Sequence, residues 1–173
     1  MIDKKVQKWY AIYVRSRAEK RVAAELEENG IDAYLPLYKT IRQWSDRKKK
    51  VQIPLIRGYL FVFIKGREYF EVLKSEGVVS FVKFQGKPTS IPDWQIQNLR
   101  ILLGSGEDFE FDVSDFGEGD FVQITAGVLK GLKGQIVKVR RKKKLLISLD
   151  ALDYSFTVNI HPAMVERMIM FEL

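Results

Sequence analysis

The period of the apolar positions changes several times along the first hundred residues, and each change marks an element. Residues 9–15 (WYAIYVR) are aromatic and β-branched, the composition of a strand. Ser16-Arg17-Ala18-Glu19 then has the form of a capping box, with Ser16 accepting from the amide of Glu19 and Glu19 reaching back to the amide of Ser16. Ala18, Val22 and Leu26 fall four apart on one helical face, and Asn29-Gly30 stops the helix with Gly30 suited to a left-handed cap. Residues 31–37 form a second strand, which Pro36 places near an edge. A polar stretch at 39–50 precedes renewed extended patterning at 51–56, which predicts a long hairpin with Ser45-Asp46 near its turn. Residues 59–64 (YLFVFI) are continuously apolar and predict a strand covered on both faces. A short helix over 67–76 is expected to turn Phe70 and Leu73 inward and to close at Gly77, followed by a strand over 78–84. Pro92 and Asp93 suit the first turn of a last helix, buried along Ile96, Leu99, Leu102 and Leu103 and ended by Gly104.

Four strands interleaved with three helices and joined by a hairpin predict an α+β sandwich with a mostly antiparallel sheet, not a doubly wound parallel one. Beyond it, residues 104–119 are Gly, Ser and acidic residues, the composition of a linker, although Phe109, Phe111 and Phe116 could dock on a domain. Short strand patterns then recur at 121–125, 135–140, 145–149 and 154–160, with turn signals at 126–127, Gly131, Gly134 and the basic run 140–144. Strands so closely spaced predict a small β-barrel. The expected domains are 1–103, a linker at 104–119, and 120–173.

Charge follows the same division. Residues 1–103 hold 20 basic and 11 acidic side chains, 104–119 hold 6 acidic and no basic ones, and 120–173 hold 9 basic and 5 acidic ones, giving +7 for the 173 residues. A basic balance points to a polyanionic partner. With no cysteine, disulfides, thiolate metal sites and cysteine nucleophiles are excluded, and a reducing cytoplasm is the expected setting. The single histidine, His161, precedes Pro162 and has no companion ligand, so a turn residue is expected there and no metal. No apolar run reaches the roughly 18 residues of a membrane span, and the start lacks a secretory pattern. No nucleophile is set beside a base, and the carboxylates fall on a helix face or in the acidic stretch, so a binding protein without cofactor is expected rather than an enzyme.

Three features could carry binding. Arg42, Arg47, Lys48, Lys49 and Lys50 surround Trp44 at the predicted hairpin tip, which reads either as a finger on phosphates with an aromatic for a single-stranded base or as a solvated tip. Tyr13, Tyr59, Phe61 and Phe84 form an aromatic set. Alternation puts Tyr59, Phe61 and Phe63 on one strand face and Leu60, Val62 and Ile64 on the other, so the aromatic face is either a second core or a surface for a partner helix. The run Gly127-Val128-Leu129-Lys130-Gly131-Leu132-Lys133-Gly134 is a tight glycine-framed loop without the Gly-Lys-Ser/Thr of a phosphate cradle. Its apolar tips, Leu129 and Leu132, suit protein contact.

In order along the chain, 9–14, Glu19-Lys20-Arg21-Val22, 58–62, 77–82 and Ile91-Pro92-Asp93 resemble the N-terminal (NGN) domain of NusG-type elongation factors, and 119–124 with 127–136 resemble the KOW motif that accompanies it. The stretch 54–62 is more similar to specialised paralogs of the RfaH kind, and 42–50 to UpxY-type antiterminators. The resemblance implies an SH3-like KOW barrel and a cytoplasmic, monomeric elongation or antitermination factor on the clamp helices of the RNA polymerase largest subunit. It implies that Tyr13, Tyr59, Phe61 and Phe84 make the clamp contact, that Arg15 and Arg21 approach upstream or non-template DNA, and that the loop at Leu129–Leu132 recruits a second partner such as ribosomal protein S10 or Rho. One departure stands out: Glu68-Tyr69-Phe70-Glu71 replaces the hydroxyl-rich stretch with which the RfaH kind touches the polymerase gate loop. An alternative, a KOW-containing RNA- or ribosome-binding protein, is motivated by the basic run 140–144.

Overall fold

The computed structural model describes residues 5–43, 48–105, 110–111, 119, 121–139, 142–159 and 165–167. They fall into two compact units, Met1–Pro92 and Asp93–Leu173.

The first unit runs β1 (Lys8–Val14), α1 (Glu19–Glu28), β2 (Asp32–Tyr34), β3 (Leu37–Gln43), β4 (Lys48–Pro54) and β5 (Tyr59–Ile64). A 3-10 turn at Gly66–Glu68 leads into α2 (Tyr69–Lys74), followed by β6 (Val78–Phe81), β7 (Lys83–Phe84), β8 (Lys87–Pro88) and β9 (Ser90–Ile91). Five strands form one antiparallel sheet in the order β2-β5-β1-β6, with β9 also paired to β1. The β1–β5 register sets Tyr10 opposite Val62 and Ile12 opposite Leu60. These side chains, with Ile64, pack on Val22 and Leu26 of α1 and Val72 of α2. Each such aliphatic side chain, fully removed from water, stabilises by about 1.5–3 kcal/mol. The odd positions, Trp9, Ala11 and Tyr13 opposite Phe63, Phe61 and Tyr59, take the other face. The aliphatic-versus-aromatic division expected from alternation is therefore the one observed.

The start of α1 differs from expectation. Its N-cap is Ala18 and makes no side-chain cap bond. Arg17, just before it, is left-handed (φ 66). Glu19, itself buried, instead accepts from the backbone N–H of Gly58 at 2.9 Å, tying α1 to the entrance of β5. The other end follows the sequence signal: Gly30 has φ 75, and the Gly30 and Ile31 amides donate to Glu27 and Leu26. In α2 the inward residues are Tyr69, Val72 and Leu73, and Phe70 is exposed. The ring of Tyr69 stacks on Phe81 at 4.5 Å and takes the inward face. The strand expected over 78–84 is broken in two, because β7 pairs with β8 as a separate ribbon across a turn with positive φ at Gln85 and Gly86.

The second unit runs α3 (Asp93–Ser105), β10 (Glu110–Phe111), β11 (Phe121–Ile124), β12 (Lys133–Val139) and β13 (Lys142–Leu149). A 3-10 turn at Asp150–Leu152, β14 (Tyr154–Asn159) and β15 (Val165–Arg167) complete it. The strands form one sheet in the order β10-β14-β13-β12-β11-β15, with every described pairing antiparallel. Among the described residues no pairing joins β10 to β15, and the described fold is mixed α/β with mostly antiparallel sheets.

Charge divides the chain at 103/104, whereas packing divides it at 92/93, because α3 bonds into the second unit. Asn98 donates to the Lys133 carbonyl at 2.7 Å and accepts from the Lys133 N–H at 3.0 Å, and Gln95 donates to Asp150 at 2.6 Å. The Trp94 ring meets Phe121 edge-on at 5.6 Å. Ile96, Leu99 and Leu102 are buried as their spacing predicts, but the helix runs through Gly104 to Ser105. Part of the acidic stretch is not linker, since Glu110–Phe111 pairs with β14. Phe109 and Phe116 lie outside the described residues, as does His161. The basic run is no free turn either: β13 begins at Lys142, and Lys144 is buried.

Candidate functional site

The hairpin of β3 and β4 is a two-stranded sheet of its own. Its register pairs Leu37 with Pro54 through to Gln43 with Lys48, and the turn predicted at Ser45-Asp46 lies outside the described residues. At its base the Leu55 N–H donates to Pro36, and the Lys20 ammonium of α1 donates to the Gln52 carbonyl at 2.9 Å. Alternation gives the ribbon two unlike faces. Tyr38, Thr40, Val51 and Ile53 on one face are half-buried. Lys39, Ile41, Gln43, Lys48, Lys50 and Gln52 on the other are exposed, Ile41 at 61%. The expected cations are thereby split. Lys48 and Lys50 share the exposed face, whereas Lys49, though exposed itself, is on the opposite face across from Arg42. Arg42 is described for its backbone alone, and Trp44 and Arg47 lie outside the described residues. Lys39 and Ile41 were not singled out from sequence, and the signal that finds them is the pairing register.

The aromatic set is only partly assembled. Tyr13 and Tyr59 are cross-strand partners with rings 5.3 Å apart, Tyr13 being 43% exposed and Tyr59 half-buried. Phe61 lies on the same face but is fully buried, stacked on Tyr34 at 6.3 Å. Trp9 packs beside it on Phe63 at 5.0 Å and is also buried. Phe61 is thus a buried neighbour of the tyrosine pair on the same sheet face, in the role of core that the alternation left open. Phe84 sits apart on the β7–β8 ribbon and is 70% exposed, with Lys87 as its cross-strand neighbour. Gly58 sits under the pair. Its φ of 77 is left-handed, and an added Cβ would lie 2.9 Å from the Tyr13 ring. The glycine therefore lets the tyrosine lie flat over the β5 entrance.

The two expected DNA-facing arginines differ. Arg15 is exposed, and its backbone N–H donates to Gly77. Arg21 is exposed but ion-paired with Glu76 at 3.0 Å, a surface pair worth roughly 0–1 kcal/mol that a phosphate could displace.

The glycine-framed loop is oriented differently from expectation. Gly127 (φ 80) and Gly131 (φ 92) turn the chain so that the Gly131 N–H donates to Ile124 and the Ile124 N–H to Leu132. Both leucines are thereby drawn inward: Leu132 is fully buried and Leu129 nearly so. The exposed apolar side chain is Val128, at 67%, beside exposed Lys130. Gly134 holds β12 close to β13, since a Cβ there would run into the Leu146 carbonyl.

Among the described residues no group of three His, Cys, Asp or Glu side chains could hold a metal ion, and no helix is long and apolar enough to cross a membrane. A family model described as transcription termination factor nusG matches residues 7–100. The transcription termination/antitermination protein NusG of Streptococcus pyogenes serotype M3 is 24% identical over 164 residues, covering 86% of this chain and 90% of its own. The protein of the same name from Borreliella burgdorferi is 22% identical over 180 residues, covering 92% of this chain and 98% of its own. A solved structure, "Domain interaction in Thermotoga maritima NusG", covers 94% of this chain and 98% of its own at 24% identity, with a TM-score of 0.46. With more than half of its residues inside the family match, the chain belongs to the NusG family of transcription termination/antitermination factors.

Proposed function

We propose that the chain is a cytoplasmic, monomeric, non-enzymatic elongation or antitermination factor that docks on the clamp helices of the RNA polymerase largest subunit. Docked there it bridges the DNA channel, keeps the clamp closed and promotes processive elongation. The observation that carries this reading is the Tyr13–Tyr59 pair, Tyr13 exposed and Tyr59 half-buried, beside a packed aromatic layer on the same unit that bears a separate cationic ribbon. Two rings with apolar bodies and polar tips suit a helix surface that must be gripped and released. Phe84 adds a third ring from the β7–β8 ribbon, and Phe61 packs in the buried layer on the same sheet face. The ribbon, with Arg15 and Arg21, faces the upstream or non-template DNA. We take the region at 120–173 as a KOW domain whose SH3-like barrel presents the 127–134 loop to a second partner, ribosomal protein S10 or Rho, with Val128 as its apolar contact. The RNA- or ribosome-binding alternative loses support, because Lys144 of the basic run is buried in β13.

The test is co-purification with polymerase together with transcription in vitro on a pause-containing template. Tyr13→Ala with Tyr59→Ala is expected to abolish binding and the effect on pausing while lowering the melting temperature by several degrees and leaving the chain folded. Undiminished binding by that folded variant would falsify the proposal.

A further inference from the structure

We infer that the exposed face of the β3–β4 ribbon is a reader of duplex DNA that enters the major groove. This inference rests on the nucleic-acid reading of the hairpin given above and gives it a face, a form of nucleic acid and a set of side chains.

Among the described residues the ribbon pairs with no other strand and forms a two-stranded sheet. A two-stranded antiparallel ribbon has backbones about 4.8 Å apart, and with side chains added it matches a major groove about 12 Å wide and 8.5 Å deep. One face is half-buried at Tyr38, Thr40, Val51 and Ile53, so only the other can meet a ligand over that length. The exposed face carries three rungs: Gln43 opposite Lys48, Ile41 opposite Lys50, and Lys39 opposite Gln52. Rungs two residues apart are about 6.8 Å apart, so the three span about 14 Å, or about four base pairs at 3.4 Å each.

The side chains on those rungs are the kinds that a groove selects. Lys39, Lys48 and Lys50 supply cations at both edges of the ribbon, and the described residues of β3 and β4 include no carboxylate to oppose them. Lysine can reach a phosphate or the O6 and N7 of guanine. Glutamine at Gln52 has the donor and acceptor that match adenine N6 and N7. Ile41, exposed at 61% in the centre of the face, offers the apolar contact that a thymine methyl group can take. The base of the ribbon is stiffened for the task by the Lys20 bond to the Gln52 carbonyl, which leaves the Gln52 side chain on the exposed face.

The experiment uses the full chain, free of polymerase, and a pool of duplexes with a randomised central segment. The bound fraction is sequenced, and the preferred duplex is probed with dimethyl sulfate, which methylates guanine N7 in the major groove. Binding of that duplex and of each of its single strands is then titrated against salt. The expected result is a preferred site of about four base pairs, guanine N7 protection within it, and tighter binding to the duplex than to either strand. Lys48→Ala with Lys50→Ala should flatten the log–log salt slope by roughly 0.9 for each phosphate no longer neutralised, whereas a charge-matched Lys8→Ala with Lys74→Ala control should retain it. Ile41→Ala or Gln52→Ala should reduce preference for the selected site about tenfold or more while leaving the salt slope in place. Stronger binding to single strands, absent N7 protection, or an unchanged slope in the Lys48/Lys50 variant would each overturn the inference. So would loss of polymerase binding by that variant with DNA binding intact, which would make the face a protein contact. Failure on free DNA by a chain that still binds polymerase leaves the proposed function standing, and the converse result separates the two in the other direction.

Discussion

Replacing Phe61 by alanine separates a supporting role from a contact role. The ring is fully buried, stacked on Tyr34, and lies on the same sheet face as the Tyr13–Tyr59 pair. Deleting it removes about 150 Å² of buried apolar surface, which at about 25 cal/mol per Å² is about 4 kcal/mol. Measured Phe→Ala changes in cores give a similar range of about 3–5 kcal/mol, including the cavity left behind. The unit that holds it spans Met1–Pro92. For a domain of that size each kcal/mol lowers the melting temperature by about 4–8 °C, so Phe61→Ala should cost at least about 12 °C. Tyr13→Ala, at a site 43% exposed, should cost only a few degrees. Urea and thermal unfolding followed by circular dichroism and tryptophan fluorescence measure both, alongside polymerase co-purification. If Phe61→Ala keeps the wild-type melting temperature yet loses polymerase, Phe61 is itself a contact and the division into support and surface is wrong.

Other expectations are narrower. Gly58→Ala forces a side chain into left-handed backbone and against the Tyr13 ring, and should destabilise by more than about 1 kcal/mol while shifting Tyr13 fluorescence or its NMR resonance; a neutral result would remove the account of why glycine stands there. Asn98→Ala leaves the Lys133 N–H and carbonyl without their partner and should cost about 2–3 kcal/mol, with faster hydrogen exchange at the Lys133 amide as its specific signature. Val128→Ser should weaken recruitment of the second partner in pull-down at unchanged melting temperature, whereas Leu132→Ser should unfold the unit first, because Leu132 is buried.

The periodic elements were legible in the sequence, and for physical reasons. A strand shows its two faces as every second residue, so the Leu60, Val62 and Ile64 face against the helices and the aromatic face opposite could be read from spacing alone. The Gly30 cap was equally local, since backbone conformation there depends on few residues. Whatever depended on partners distant in the chain had no local signal. The capping box at Ser16 and Glu19 lost to a bond between Glu19 and Gly58, 39 residues away. Phe70 was displaced from the core because Tyr69 had Phe81 to stack on. Leu129 and Leu132 turned from contact residues into core because the loop closes back on Ile124, and Val128 took the exposed place. The basic hairpin was visible as a run of charge, but a run has no faces. Only the pairing of β3 with β4 brings Lys39, Ile41, Lys48 and Lys50 together, because a face is a property of two strands in register and not of one strand alone.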